Sequence, residues 1–164
     1  MYYEQTQQVR IDLLHIIETL KEDELKKKLD GWTIGEILEH LYITERKFVS
    51  IIKEAVTSQR TRTDKTNPHF DLSFLMDRTR KISAPDYLCP TSQNYSKTEL
   101  IQLLSESREE LEEFVKLTNS EERQQISSPH RWMGDLTVEK WIELIGFHEK
   151  RHILQIEEIL QSSK

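Results

Sequence analysis

This chain predicts an all-α protein, a four-helix bundle, and three features carry the prediction. Apolar residues recur at helical spacing in four long stretches. Two capping boxes mark helix starts, Thr33 with Glu36 and Ser96 with Glu99. Glycine and proline number only four each in 164 residues, which is too few for an architecture of short strands and tight turns. A charged fraction of 32% beside 36% hydrophobic residues fits a folded, helix-rich chain rather than a disordered one.

The first helical pattern covers residues 3–29, where Val9, Leu13, Ile16, Ile17 and Leu20 form one apolar stripe. The second opens at "GWTIGEILEHL" behind the Thr33 cap and buries Ile34, Ile37, Leu38, Leu41, Phe48, Ile51 and Ile52. It fades in the polar run "TSQRTRTDKTNP". Residues 59–95 read as mostly irregular, with a short helix at "FDLSFLMDRTRKI" and with Pro85 and Pro90 stopping anything longer. The third helix starts at "SKTEL" and carries Leu100, Leu103, Leu104, Leu111 and Phe114. The fourth spans residues 137–161. No run alternates as a strand does.

Short connections favour antiparallel neighbours, but the second and third helices are joined by the long segment 59–95. A helix of about 25 residues is about 37 Å long, and that segment can run back along it. The expected order is therefore up-down-down-up in a single domain of residues 1–164, with the second and fourth helices antiparallel.

The net charge of −6, without a long basic run, excludes nucleic acid and anionic membrane as main partners. Cys89 is the only cysteine, so there is no disulfide framework. The opening "MYYEQTQQVRIDLL" lacks a basic-then-apolar leader. No apolar stretch approaches the ~18 residues of a membrane span. A cytoplasmic location is expected.

The fourth helix has an inner seam of Val138, Trp141, Ile145, His148, His152, Gln155 and Ile159 at alternating three-four spacing. A single inward histidine is usually a hydrogen-bonded core residue. Two at i and i+4 are costly to desolvate, and one divalent metal satisfies a nitrogen on each ring. His40 lies on or beside the buried stripe of the second helix, about 10 Å below its cap. In the antiparallel pairing it reaches the depth of His152. Three histidines with open positions are the layout of a catalytic rather than a structural metal. His15 is expected at the surface, and His69 and His130 in loops.

Residues 148–152, "HEKRH", also match the H-E-x-x-H string of zinc proteases. The surroundings do not follow. A metzincin places Gly and His where this chain has Gln155 and Glu158, and Lys150 and Arg151 suit a solvated outer face. Glu149 is expected to face solvent or a neighbouring helix, or to support the metal from outside. Glu36 either completes the capping box or hydrogen-bonds His40. Gln155 either orients a ligand or caps a buried polar group. Cys89, in "YLCPTS", reads as a loop or packing residue. Trp32, Trp132 and Trp141 read as packing residues, with Trp132 a candidate for a pocket mouth.

"GWTIGEILEHL", "HRWMGDLT" and "LTVEKWIELIGFHEKRHILQIEEIL" together resemble the DinB/YfiT-like superfamily of bacterial four-helix bundles. The resemblance covers most of the chain except residues 59–95. It implies a divalent metal, zinc or nickel, on His40, His148 and His152, and a homodimer. Relatives include bacillithiol S-transferases and a mycothiol-dependent maleylpyruvate isomerase. It therefore implies a metal-dependent S-transferase joining a low-molecular-weight thiol to a small-molecule electrophile. The alternatives are a metal-dependent hydrolase, and a non-catalytic DNA-damage or stress-response protein.

Overall fold

The computed structural model describes residues 2–163. Five helices and one hairpin follow in order: α1 (Tyr2–Thr19), α2 (Ile34–Thr57), α3 (Lys97–Leu117), the short α4 (Ser120–Gln125), β1 (Ser127–His130), β2 (Gly134–Thr137) and α5 (Val138–Ser162). None of these helices is long and apolar enough to cross a membrane.

The four long helices form the expected bundle, and their directions follow from who meets whom. One core cluster joins the end of α1 (Leu13, Ile17) to the first halves of α2 (Ile34, Leu38) and α3 (Leu100, Leu104) and the second half of α5 (Ile153, Ile156). The other joins the second halves of α2 (Val49, Ile52) and α3 (Leu111, Phe114) to the first half of α5 (Trp141, Ile142, Ile145). Helices α2 and α3 are thus parallel, and both run against α1 and α5. This is the up-down-down-up order.

Between the two apolar clusters lies a layer of buried charge, with one residue from each long helix. Arg10 donates from Nε to Glu149 Oε1 at 2.7 Å and from Nη2 to Glu45 Oε2 at 2.5 Å. Arg108 donates from Nε to Glu45 Oε1 at 2.7 Å and from Nη2 to Glu149 Oε2 at 3.0 Å. Two cations and two anions close a neutral ring. Remaining donors go to the Leu104 and Thr6 carbonyls. A buried ion pair adds little net stability over an apolar replacement, but removing one member is expensive, so the ring ties one residue of each long helix to the others.

The helix starts are as the sequence indicates. Thr33 Oγ1 accepts from the Glu36 amide at 3.1 Å while Glu36 Oε2 accepts from the Thr33 amide at 2.8 Å. Ser96 and Glu99 repeat the arrangement. Close approach of α1 to α5 depends on Gly146, where an added Cβ would stand 2.6 Å from Thr6 Oγ1 and 3.1 Å from Thr6 Cα.

Three expectations change. The first helix ends at Thr19 rather than near residue 29, and a 3-10 turn at Glu22–Lys26 follows. Leu20 and Leu25 are buried, so the apolar signal there belongs to a turn that caps the bundle. The expected short helix after residue 70 is only a 3-10 turn, Ser73–Met76. The "SSPHRWMGDLT" stretch forms an antiparallel hairpin that strand alternation did not reveal, with Ser127 opposite Thr137 and His130 opposite Gly134. Four-residue strands are too short for a period-2 signal. The left-handed Gly134, at φ +83°, makes the turn possible.

Candidate metal centre

The three histidines named from the sequence come together. His40 of α2 and His148 of α5 face each other with their Nε2 atoms 3.0 Å apart. The ring centroids of His40, His148 and His152 are separated by 4.7–4.9 Å. One ligand atom from each lies within 4.8 Å of the others. The antiparallel α2–α5 pairing brings the two helices' histidines to the same depth.

Neighbouring groups fix the tautomers of two rings. The His40 Nδ1 lies 2.6 Å from the Leu88 carbonyl, which can only accept, so the proton is on Nδ1 and the Nε2 lone pair is free. His152 Nδ1 lies 2.8 Å from Gln155 Oε1, which likewise leaves its Nε2 free. Burial pushes the His40 pKa below its usual value, although the Leu88 carbonyl pulls the other way. Burial, followed by the charge of His40, takes His152 down to about 3. Burial, and then the other two rings, holds His148 well below the ordinary range. All three are neutral near pH 7, the state in which imidazole binds metal.

Three converging imidazoles are a donor set suited to a divalent cation, and the His40–His148 pair already stands at ligand spacing. Two nitrogens about 2.0–2.1 Å from one ion, at an angle between right and tetrahedral, are about 2.8–3.4 Å apart. The His40–His148 separation falls in that range. Outer contacts that orient the rings, here the Leu88 carbonyl and Gln155, are the usual accompaniment of such ligands.

The histidines form one wall of a cavity of about 890 Å³. Phe48, Trp132, Trp141 and Leu144 give it an apolar lining. Crossover residues from Leu75 to Leu88 complete its lining, and several side chains staple the crossover to the bundle. Arg151 Nη1 donates to the carbonyls of Leu75 at 2.7 Å and Asp77 at 3.0 Å, and its Nη2 to that of Arg80. The Leu88 carbonyl accepts a hydrogen bond from His40 Nδ1. Glu39 accepts from the amide and hydroxyl of Thr91.

Several sequence expectations are corrected or decided by these contacts. Glu149 does not face solvent: both carboxylate oxygens are taken by Arg10 and Arg108 in the buried ring. A general base needs a free oxygen at the metal, so the protease reading of "HEKRH" fails on this residue. Arg151 is buried rather than solvated, because its guanidinium satisfies crossover carbonyls. Glu36 serves the capping box, and His40 takes its outer partner from Leu88 instead. Gln155 holds His152. Cys89 is half-buried, with Sγ 3.6 Å from the Pro85 carbonyl and outside the cavity wall. His15 and His69 are exposed.

His130 is the cavity residue that the sequence undervalued. The hairpin carries it to the wall beside Trp132 and Trp141, each with its ring centroid 5.4 Å away. Its Nδ1 accepts from the Trp132 and Met133 amides, both at 3.3 Å. The neutral ring therefore carries its proton on Nε2. Burial, and then the charge of Arg131, lowers its pKa to about 4. Only the hairpin could have indicated this, and the hairpin left no periodic signal. All three tryptophans also line the cavity.

The family model of the DinB superfamily matches residues 5–156. The chain belongs to the DinB superfamily. Among curated proteins it is similar to the uncharacterised protein YuaE of Bacillus subtilis (strain 168), at 29% identity over 154 residues and 93% of both chains. Among solved structures it is similar to TT2238, described as a four-helix bundle protein, with a TM-score of 0.66, 16% identity and 95% and 94% of the two chains covered. It is also similar to YfiT from Bacillus subtilis, with a TM-score of 0.64, 16% identity and 99% and 85% covered. That protein is described as a probable metal-dependent hydrolase with an unusual four-helix bundle topology. At such identities the structural likeness concerns the fold.

Proposed function

We propose that this protein is a metal-dependent enzyme that transfers a low-molecular-weight thiol to a small electrophile, with His40, His148 and His152 as the metal ligands. The observation that carries the reading is the convergence of three neutral histidines on one wall of an apolar cavity of about 890 Å³. Sites of this size hold small molecules. A divalent cation, zinc or nickel by the family resemblance, supplies Lewis acidity there and lowers the pKa of a thiol or water beside it.

The chain's own residues do the rest. Leu88 and Gln155 hold the His40 and His152 rings in the metal-binding tautomer. Trp32 packs on the His40 ring with centroids 4.7 Å apart and limits its rotation. Phe48, Trp141 and Leu144 keep water from the reacting atoms, which strengthens every charge interaction inside. His130, with its proton on Nε2, offers a hydrogen bond to a substrate atom that gains negative charge.

Metal-dependent hydrolysis is the second reading, favoured by the description of YfiT and by needing no residue beyond the same three ligands. Two experiments test the proposal. Elemental analysis of the wild type is expected to give about one metal per chain, lost in a His148→Ala/His152→Ala variant. Turnover is then measured with and without thiols: strict thiol dependence supports the transferase, and turnover without any thiol assigns the hydrolase. A wild type that binds neither zinc nor nickel refutes both.

A further inference from the structure

The cavity wall has a charge that the rest of the molecule does not. The chain is acidic, with a net charge of −6. Yet five cations line the cavity (Lys47, Arg78, Lys81, Arg131 and Arg151) against two acids, Asp30 and Glu158. The two acids are already engaged: Arg78 pairs with Glu158 at 3.1 Å and Lys81 with Asp30 at 3.5 Å. Arg151 is turned to the crossover, where its two Nη atoms donate to three carbonyls. Lys47 and Arg131 remain, and among the described residues neither has a carboxylate partner. Lys47 rests its ammonium over the Tyr87 ring, 5.7 Å from the centroid. Both side chains are exposed, so they form the rim rather than the floor.

The same rim is also apolar. Of the six large hydrophobic side chains exposed among the described residues, Ile82 (43%), Tyr87 (60%) and Trp132 (49%) line this cavity. Exposed apolar groups gathered at one opening mark a surface that something covers. Free cations beside them make a site for an anion, because a low-dielectric cleft of one sign concentrates the opposite charge.

We infer that the cavity takes a small amphiphilic anion, a carboxylate in the first instance, whose apolar body lies against Phe48, Trp132 and Trp141 and whose charge is held by Lys47 and Arg131. This names the substrate class of the proposed enzyme and rests on the cavity being its substrate site. It does not require the metal: the cations stand on α2 and the hairpin, apart from the three ligand histidines. Residue His130, next to Arg131, adds a neutral Nε2–H donor on the same wall.

The test uses the tryptophans, all three of which line the cavity and report its occupancy without any reaction. The probes are 4-phenylbutyrate and its neutral amide, titrated by fluorescence quenching into the full chain, both zinc-loaded and chelator-treated. The carboxylate is expected to bind at least tenfold more tightly than the amide in both forms. A Lys47→Gln/Arg131→Gln variant is expected to lose that preference while still binding the amide. Both positions are exposed, and circular dichroism checks that the variant is folded. Equal affinities in the wild type overturn the inference, as does quenching by neither probe. A preference seen only with zinc, or one that survives in the variant, assigns the anion to the metal and also overturns it. Failure of the metal reading is separate: it shows in elemental analysis and leaves the chelator-treated titration unaffected.

Discussion

Substituting Glu149→Gln separates the two meanings of "HEKRH". In the structure Glu149 Oε1 accepts from Arg10 Nε at 2.7 Å, while Oε2 accepts from Arg10 Nη2 at 3.1 Å and Arg108 Nη2 at 3.0 Å. Glutamine keeps the shape but puts an amide NH2 in place of one oxygen, so a donor faces donors. Two buried guanidinium groups then share one carboxylate, Glu45. Removing one partner of a buried charge pair costs about 3–5 kcal/mol. For a chain of this size each kcal/mol is worth about 2–4 °C in Tm, so the expected loss is about 6–20 °C. Because the three ligands are untouched, metal per chain is expected to stay at the wild-type value. Adding Arg10→Met restores neutrality around Arg108 and Glu45, so the double variant is expected to lose less than the sum of the singles. Thermal and denaturant unfolding, in zinc and in chelator, measure the effect. A loss below about 1 kcal/mol in both conditions refutes the ring as a stability element. Unchanged stability with abolished metal-dependent turnover would return Glu149 to the role of base.

Three other outcomes follow from single contacts. Gln155→Leu removes the acceptor that fixes the His152 tautomer and is expected to weaken metal affinity about 10–100-fold, whereas Gln155→Glu keeps an acceptor and most of the affinity; competition with a chromophoric chelator reads both. Gly146→Ala drives a methyl group into Thr6 and is expected to cost about 1–3 kcal/mol in urea unfolding, with only partial rescue by Thr6→Ala because the Thr6 Cα stays 3.1 Å from the new carbon. His130, at about 4 in the folded chain and at its ordinary 6.5 when unfolded, binds fewer protons folded than unfolded. Its contribution to stability is complete above pH 6.5 and lost as pH falls toward 4. The wild-type Tm is therefore expected to drop more steeply across that window than the Tm of His130→Gln, and parallel curves would show that the half-buried neutral ring is not the cause.

Much of the bundle could be read from the sequence because long amphipathic helices write their burial at a period that survives single exceptions. Leu38, Leu104 and Ile156 report the same core whether or not a neighbour is polar. The capping boxes at Thr33 and Ser96 are local devices, complete within four residues, and were correct to the atom. The turn after Thr19 was not separable from α1, because Leu20 and Leu25 are buried by the bundle's end rather than by a helical stripe. The hairpin was invisible for the opposite reason: each of its strands has too few residues for a period. What holds it is tertiary, including Trp141 Nε1 donating to the Ser128 carbonyl at 3.0 Å and Arg60 reaching Asp135 at 2.6 Å.

The site divides along the same line. The meeting of His40, His148 and His152 was legible because helical spacing converts residue number into depth. Arg151 was misread as an outer-face residue, and Glu149 was left between solvent and a neighbouring helix, because a charge on a helix signals solvent unless its partner is known. Their partners lie on other elements: Arg10 and Arg108 for Glu149, and crossover carbonyls for Arg151. Those partners also explain why α5 can carry histidines on one flank and charges on the next without conflict. The seam at 148 and 152 looks toward α2 and the cavity, while position 149 looks toward α1 and α3. One helix therefore serves as a wall of the cavity and as a quarter of the buried charge ring. The ring holds α2 and α5 in register between residues 45 and 149, immediately beside the level where His40 must meet His148. A shift of a single turn between these helices, about 5.4 Å, would part the His40 and His148 nitrogens that now stand 3.0 Å apart. The buried charge thus bears on the three-histidine cluster through register, without touching any of its rings.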